Sequence, residues 1–490
     1  MHLRSLKYML LPLLVMLLPA HLLAQGYRIE VTLKGLSSDT LILGEYFTTR
    51  MVPKDTVVTD AKGHAVFRGD KAFAGGLYLL YFNPDCYFDF LLGEDQELAV
   101  SADTGDLAGT IRFEGSADNQ AFLDYKAFLQ DKRTEVKQET DRLAQAKTAQ
   151  DSARIQDRQK AINQEMESYM DALERDHGEG FVGTFVGATR EPFPPESLLT
   201  GDKRFNDSLR YFYYRDHYFD RFDPFDVRLL HTPLYEGKIK GYLNRVVVQH
   251  PDSLIVAVDF LLQGAKKSDE LYRYMLITLF NHFAESKFMG MDVVYFHIAE
   301  YYYIPDATWS SRDFIDKLRE NLQANQHSLI GQIAPNIALR ELPSEHFLMA
   351  QEDTAIKRDP HIGQDFLLHD IQAPYTILYF WEADCGHCQK STPALYQVYE
   401  RLKDKGVKVV CTHVINTVEG KELWVDFVNE HGLYDWINCW SPYSNEFRKL
   451  YNLQSYPQLF ILDENKEIVA KRITPEQAEQ IIDNLLKTDS

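Results

Sequence analysis

The sequence predicts a multi-domain protein: an all-β, sandwich-like N-terminal domain, an α-helical middle region and a C-terminal α/β domain. At 490 residues the chain is longer than one hydrophobic core usually supports. Alternating apolar and polar residues fill 27–113, a charged run without Pro or Gly covers 118–177, and strand-like and helix-like segments alternate after 331. The boundaries that follow are 1–24 for a signal peptide, 25–116 for the β-domain, 117–330 for the helical region and 331–490 for the α/β domain.

The first residues, MHLRSLKYMLLPLLVMLLPAHLLAQG, have the organisation of a secretory signal peptide. A short basic start precedes an apolar run, and Ala24 offers a cleavage site before Gln25. The run is short for a membrane span, and Pro12 and Pro19 interrupt it. Because no cysteine lies near the cleavage site, lipid attachment is not expected. We therefore expect an exported, periplasmic protein that is not a lipoprotein, in a compartment where disulfides persist.

The charge balance excludes one class of partner. The chain carries 52 basic and 72 acidic residues, a net charge of −20. Nucleic-acid binding requires a basic surface, so no nucleic-acid partner is expected.

In the β-domain, apolar and polar residues alternate within YRIEVTLKG, HAVFRG and IRFEG, and LYLLYF is continuously apolar. Gly, Asn and Asp separate these segments, as expected for strands joined by turns.

In the middle region, apolar residues recur mostly three, four or seven positions apart. This spacing predicts a long helical hairpin that turns near TAQDS, with a disordered charged linker as the alternative. Ser268 and Ser310 are the expected caps of later helices. The aromatic stretch RYFYYRDHYFDRFDPF is interpreted as helix packing rather than a sugar- or peptide-binding face.

Three middle-region side chains have metal-ligating chemistry: His282, His297 and Glu300. Isolated histidines on such helices usually serve packing or lie at the surface, so no metal is expected there.

Residues 331–490 read as strands and helices in alternation, which predicts a parallel sheet covered on both faces. YTILYFW is a buried strand, and a helix follows it from the motif CGHC to about Lys405. VKVVCTHVI, INCW, QLFILD and EIVAKRI are further strands, the last two joined by DENK at hairpin spacing.

Cys385 and Cys388 of the CGHC motif could form a redox couple, half of a metal site or a structural staple. The preceding strand places Cys385 at a helix N-terminus, where free N–H groups and the helix dipole favour the nucleophilic thiolate. A disulfide closing so short a loop adds little stability. A tetrahedral metal site needs two more ligands, and the nearby Cys411 and Cys439 lack CxxC spacing. The redox couple is therefore favoured, with Cys388 the more buried thiol.

The fifth cysteine, Cys86, lies in the predicted β-domain loop NPDCYFD. An odd number of cysteines leaves at least one thiol unpaired or bonded to another molecule.

The last 160 or so residues resemble a thioredoxin-fold domain of the exported TlpA/ResA-like disulfide reductases. The resemblance rests on GQIAPNIAL, on the strand-to-CxxC junction YFWEADCGHC, on Pro393 within the following helix and on SYPQLFILD. The β-domain and the helical region resemble accessory regions found ahead of such domains.

The resemblance implies that Cys385 is the exposed nucleophile and that Cys388 resolves the mixed disulfide, with a redox-active Cys385–Cys388 disulfide as the product. Pro457, in cis after Tyr456, would leave backbone groups free to pair with an extended substrate. The residues expected to support the cysteines are Trp381, Asp384, Gly386, His387, Tyr456 and Pro457. No cofactor is implied.

Two departures from that pattern concern proton transfer. An acidic residue often stands three positions after the second cysteine, but Ser391 is there; the buried aspartate of thioredoxins is replaced by Tyr379. Glu382, Asp384 and water are the remaining candidates. Asp384 also replaces the thioredoxin tryptophan, and Gly386-His387 is the pair found in protein disulfide isomerases.

These features lead to the hypothesis of an exported thiol-disulfide oxidoreductase that reduces protein or peptide disulfides and receives electrons from an unidentified thiol donor. The β-domain and helical region would choose the partner or form a homodimer. The alternative is a cell-envelope binding or scaffold protein with little turnover, and a weaker one is a Cu(I)-handling protein.

Overall fold

The computed structural model describes residues 26–488 except 85, 179 and 287. The chain divides into two compact units, one ending at Val246 and the other beginning at Val247. The predicted signal peptide, residues 1–24, lies outside the described residues. The all-β, helical and α/β composition predicted from the sequence is confirmed, and the division between the units falls within the middle region.

The first unit begins with a β-sandwich of two four-stranded sheets. Alternate side chains of both sheets form one core, for example Val31 and Leu43 at 0 % exposure, because successive residues of a strand point to opposite faces. Cys86 begins a strand rather than lying in a loop. The strands are β1 Tyr27–Lys34, β2 Thr40–Phe47, β3 Arg50–Val58, β4 His64–Gly69, β5 Gly76–Asn83, β6 Cys86–Leu92, β7 Glu97–Asp103 and β8 Arg112–Glu114.

The rest of the first unit is helical, and its two longest helices form the predicted hairpin. Ser116 and Thr148 cap them by accepting a backbone N–H three residues on. Asn119 fixes the first of them against β6 through two hydrogen bonds of 2.7 Å with the backbone of Leu91. The helices are α1 Leu107–Thr110, α2 Ala117–Gln145, α3 Ala149–Asp176, α4 Phe181–Thr189, α5 Lys203–Asp216, α6 Val227–Leu230 and α7 Leu234–Gly241.

The second unit opens with helices that pack through apolar faces, with Leu261, Met275 and Val294 fully buried. It continues into an α/β domain. Its helices are α8 Pro251–Ala265, α9 Asp269–Ala284, α10 Met291–Ile298, α11 Ile304–Asp306, α12 Arg312–Asn325, α13 Ser344–Met349, α14 Thr354–Arg358, α15 Gly386–Leu402, α16 Val418–His431, α17 Glu446–Leu450 and α18 Pro475–Thr488.

The α/β domain is built on one seven-stranded sheet of order β10-β9-β13-β12-β11-β14-β15. The prediction of a parallel sheet is wrong in part, because only β11–β12 and β12–β13 pair in parallel and the other pairs are antiparallel. Its strands are β9 Ala338–Glu341, β10 Gln364–Leu367, β11 Thr376–Trp381, β12 Lys408–His413, β13 Ile437–Trp440, β14 Gln458–Leu462 and β15 Ile468–Lys471.

Helices cover both faces of this sheet, as predicted. Ile377, Tyr379 and Trp381 of β11 join a core with α15, α16 and α18, whereas Leu378 and Phe380 join a core with α17. All six residues of β11 are buried for this reason. This packing on both faces positions the C-terminal end of β11 where α15 begins.

Candidate active site

The two cysteines of the CGHC motif lie where β11 passes into α15. Cys385 is the N-cap residue of α15, and Cys388 lies in its first turn. Cys385 is partly exposed whereas Cys388 is 0 % exposed, and both are free thiols. The difference in exposure makes Cys385 the sulfur that an external disulfide can reach.

Burial raises the pKa of the Cys388 thiol well above its usual range. The backbone N–H of Glu382 lies 3.5 Å from Cys388 Sγ and opposes this effect, because such a contact favours a thiolate. Cys388 is therefore protonated at neutral pH in this arrangement, and its reaction requires a proton acceptor.

A loop before β14 lies opposite the cysteines. The Tyr456–Pro457 peptide bond is cis. Because β14 pairs with β11, with Gln458 opposite Phe380, this loop is held beside the start of α15. The Cys385 thiol donates to the Tyr456 carbonyl oxygen at 3.7 Å. The backbone of the loop is thus within reach of anything bonded to Cys385.

Tyr456 also contacts a cation. The Arg448 guanidinium lies 5.6 Å from the centre of its ring, and Arg448 donates to the Val414 carbonyl oxygen at 2.9 Å. Burial raises the pKa of the Tyr456 hydroxyl.

Two positions that depart from the thioredoxin pattern line a cavity of about 490 Å³ beside Pro457. Tyr379 and Ser391 both face it, and the Tyr379 hydroxyl lies 3.1 Å from Thr392 Oγ1. Burial raises the pKa of Tyr379 well above its usual range, so this phenol stays protonated. Burial and the neighbouring Asp384 carboxylate also raise the pKa of the Glu382 carboxyl.

Sequence reasoning missed His413, which supports the loop before Cys385. Its Nε2 accepts the Ala383 backbone N–H at 3.3 Å, so the ring carries its proton on Nδ1. Burial lowers the pKa of His413 to about 3, which keeps the ring neutral. The Gln389 side chain donates to the Ala383 carbonyl oxygen at 3.1 Å and fixes the same residue from the helix side. No sequence signal marks His413, because its partner is 30 residues away along the chain.

The remaining supporting residues predicted from the sequence divide into two groups. Trp381 is 0 % exposed and packs against His413 and Phe427, with ring centres 5.6 and 5.0 Å apart. Asp384, Gly386 and His387 are exposed around Cys385. A side chain at Gly386 would meet no atom within 4 Å, so the approach to Cys385 is open on that side.

In the part of the chain that the structure describes, no group of three or more His, Cys, Asp or Glu side chains is placed to hold a metal ion. Of the histidines considered earlier, His297 hydrogen-bonds Asp259 through Nε2 at 2.7 Å. None of the described helices combines the length and the apolar composition needed to cross a bilayer.

Three family profiles match the chain. Residues 374–468 match a family described as thioredoxin-like. Residues 27–122 and 202–328 match two domains of unknown function, DUF4369 and DUF5106.

The chain is also similar to curated proteins. Sporulation thiol-disulfide oxidoreductase A of Bacillus subtilis is 29 % identical over 136 residues, which cover 26 % of this chain and 81 % of that protein. Thiol-disulfide oxidoreductase ResA of Bacillus thuringiensis is 25 % identical over 125 residues, which cover 26 % of this chain and 69 % of that protein.

Solved structures include a domain of a possible thiol-disulfide isomerase from Cytophaga hutchinsonii, 30 % identical, covering 33 % of this chain and 95 % of that one, with a TM-score of 0.27. A thioredoxin-like protein from Bacteroides caccae is 18 % identical. The match covers 60 % of this chain and 96 % of that chain, with a TM-score of 0.38.

The thioredoxin-like family match falls on the unit that carries the two cysteines, and together with the curated relatives it confirms the resemblance derived from the sequence. The C-terminal part of this chain is a thioredoxin-like domain homologous to the ResA and sporulation thiol-disulfide oxidoreductases.

Proposed function

We propose that the chain is an exported thiol-disulfide oxidoreductase that reduces protein disulfides through Cys385 and Cys388. The observation that carries the proposal is the pairing of a partly exposed thiol at a helix N-terminus with a fully buried thiol one turn further on. Homology to proteins named thiol-disulfide oxidoreductases supports the class of reaction.

The reaction has two steps. The Cys385 thiolate attacks one sulfur of the substrate disulfide; a Cys385–substrate disulfide forms, and the other substrate sulfur leaves as a thiolate and takes a proton. Cys388 then loses its proton and attacks Cys385 Sγ, which releases the second substrate thiolate and forms the Cys385–Cys388 disulfide. Two electrons pass to the substrate, and an upstream thiol donor returns them.

Glu382 is the proposed acceptor of the Cys388 proton. Besides burial, the charge of its carboxylate raises the pKa of Cys388, and burial and Asp384 raise the pKa of the Glu382 carboxyl itself. A raised carboxyl pKa brings donor and acceptor closer in acidity, which favours transfer. Glu382 thus takes the role that Ser391 and Tyr379 are chemically unable to fill.

Substitution of each cysteine tests the proposal. Cys385→Ser should abolish reduction of insulin, because the accessible thiol of the Cys385–Cys388 pair is lost. Cys388→Ser should accumulate a mixed disulfide at Cys385, detected by mass spectrometry, because the resolving thiol is lost. Cys86→Ser, which changes a cysteine of the β-sandwich, is the matched control and should reduce insulin at the wild-type rate.

Insulin reduction by Cys385→Ser at the wild-type rate would contradict the proposal. An inactive wild-type protein that still captures envelope partners would instead favour the scaffold hypothesis.

The proposal includes export and a partner. Residues 1–24 are the expected signal peptide, with the mature chain acting in the periplasm and not as a lipoprotein. The β-domain and the helical region are proposed to select the substrate or to form a homodimer.

A further inference from the structure

A guanidinium group on the short helix α17 lies beside the active site without a carboxylate partner. Arg448 is half-buried, and its Nη2 donates to the Val414 carbonyl oxygen at 2.9 Å. Among the residues that the structure describes, no aspartate or glutamate forms an ion pair with it. Its charge is therefore not neutralised, and partly buried surroundings screen such a charge less than solvent does.

The contacts of Arg448 connect segments that meet at the cysteines. Val414, which accepts from Arg448, donates its own backbone N–H to the carbonyl oxygen of Trp381 at the end of β11, at 3.0 Å. The guanidinium also lies 5.6 Å from the centre of the Tyr456 ring. The carbonyl oxygen of Tyr456 is the one that accepts from the Cys385 thiol. Arg448 therefore joins the strand that leads to the cysteines to the loop that faces them.

The charge of Arg448 acts on Glu382, the proposed acceptor of the Cys388 proton. Burial and the Asp384 carboxylate raise the pKa of Glu382, and Arg448 lowers it. The thiol of Cys388 and the phenol of Tyr456 are the other titratable groups that interact with the Glu382 charge. Arg448 is the cation in this set of groups.

Two requirements on Glu382 oppose each other. A raised pKa makes its carboxylate a stronger base toward the Cys388 thiol, but a carboxyl group that is already protonated cannot accept a proton. Burial and Asp384 both disfavour the charged carboxylate, so alone they would favour the protonated form. A positive charge close to the carboxylate restores the ionised form.

We propose that Arg448 is a positioning residue whose charge keeps the Glu382 carboxylate ionised, so that this group can take the proton of Cys388. The proposal rests on the function proposed above. In this step the Cys388 S–H bond breaks, and its proton bonds to a carboxylate oxygen of Glu382. The Cys388 thiolate then attacks Cys385 Sγ, and the substrate sulfur leaves with the bonding electron pair. Arg448 forms and breaks no bond in this step and acts through Glu382.

The test follows the two attacks separately. Reduced full-length protein reacts with dithiobis(nitrobenzoate), which releases one coloured thiolate when Cys385 attacks it and a second when Cys388 attacks the mixed disulfide. The Cys86→Ser background leaves Cys385 as the partly exposed thiol, and Cys388→Ser should show the first release only. The rate of the second release is measured by stopped flow between about pH 5 and pH 8. Below the pKa of the base, this rate should fall by about tenfold per pH unit.

Two substitutions separate the charge of Arg448 from its hydrogen bond. Arg448→Gln removes the charge and keeps an N–H donor, whereas Arg448→Lys keeps the charge and loses the planar group. In Arg448→Gln the fall in rate should begin at a higher pH than in the wild type, and in Arg448→Lys at the wild-type pH. Within a Glu382→Gln background, Arg448→Gln should cause no displacement. Arg401→Gln, which removes a cation at an exposed position of α15, is the matched control and should keep the wild-type profile.

A direct titration separates this inference from the proposed function. Carbon NMR of protein labelled at the glutamate carboxyl carbons follows Glu382 without reaction at the cysteines, and Glu382→Gln identifies its signal. The midpoint should be higher in Arg448→Gln than in the wild type and in Arg448→Lys. A second release that persists in Cys388→Ser would contradict the proposed function, whereas the midpoints would still decide whether Arg448 acts on Glu382.

Three outcomes would overturn the role of Arg448. The first is an equal profile and an equal midpoint in the wild type and Arg448→Gln. The second is an equal displacement in Arg448→Gln and Arg448→Lys, which would assign the effect to the hydrogen bond and not to the charge. The third is a higher midpoint without a displaced profile, because Glu382 would then not be the group that limits the step.

Discussion

At the residue scale, the protonation state of His413 determines whether its ring can hold the loop before Cys385 in place. Its ring is 2 % exposed and lies between the side chains of Trp381 and Trp424. Protonation would place a charge in this apolar surrounding and would remove the acceptor that holds the Ala383 N–H. The loop before Cys385 therefore depends on a histidine that stays neutral.

This dependence predicts a loss of stability in acid. The pKa of His413 falls from 6.5 to about 3 on folding, so between these values the unfolded chain binds a proton that the folded protein does not. The free energy of unfolding should therefore decrease as the pH falls through this window, by up to about 1.4 kcal/mol per pH unit from this residue. Urea denaturation of wild type and His413→Asn between pH 4 and pH 7 measures the difference, since the variant lacks the titrating group.

His361→Asn is the control for that experiment, because His361 is exposed. The free energy of unfolding of this variant should depend on pH as that of the wild type does. If the free energy of unfolding of His413→Asn falls with pH as steeply as that of the wild type, groups other than His413 cause the dependence.

At the element scale, the elements that the sequence predicted are mostly those with a local signal. The strand β11 and the start of α15 follow from an apolar run and the residues after it, and Ser268 caps α9 as expected. The cap predicted at Ser310 is wrong: Ser311 caps α12, while Ser310 Oγ lies 3.0 Å from the Tyr303 hydroxyl. Strand direction was missed in part: β11 and β14 pair antiparallel, whereas the direction of β11, β12 and β13 and the β14–β15 hairpin agree with the prediction. An apolar run is compatible with parallel or antiparallel pairing.

One buried lysine joins two elements. Lys421 of α16 is 0 % exposed, and its Nζ donates to the Ile356 carbonyl oxygen at 3.2 Å and to that of Asp359, at the end of α14. It also lies 5.6 Å from the centre of the Trp440 ring. Burial lowers the pKa of Lys421 to about 8.

Lys421→Met should leave both carbonyl groups without a donor. The free energy of unfolding should fall by roughly 1–3 kcal/mol, the cost of unmet buried acceptors. Amide hydrogen exchange should quicken across residues 354–362. Lys390→Met, at an exposed position of α15, should change the free energy of unfolding by less than about 0.5 kcal/mol. Equal stability of the two variants would show that α14 does not depend on Lys421.

At the scale of the whole molecule, the order of domain types follows from the sequence, because each type has its own periodicity. The contacts between consecutive segments do not follow from it, because they join residues far apart in the chain. Lys471 of β15 is 6 % exposed; it pairs with Asp292 and donates to the Ser328 carbonyl oxygen at 2.7 Å. Both partners precede residue 331, the predicted start of the α/β domain.

A fragment beginning at residue 331 should therefore be less stable than one beginning at Val247. The shorter fragment leaves Lys471 without its two partners, and its free energy of unfolding should be lower by on the order of 2 kcal/mol or more. Guanidinium denaturation of both fragments measures this. Lys471→Met should recover part of the loss in the shorter fragment only. Equal stabilities would support the boundary at 330/331.

The unequal burial of the five thiols has a consequence for how the protein responds to an oxidising medium. Cys388, Cys411 and Cys439 are 0 % exposed, whereas Cys385 and Cys86 are partly exposed. Cys388 is oxidised through Cys385 in the proposed reaction, whereas an oxidant in the medium can reach Cys411 and Cys439 only when the fold opens. Disulfides that contain Cys411 or Cys439 would then record how often each molecule has unfolded, and not how long it has been exposed to oxidant.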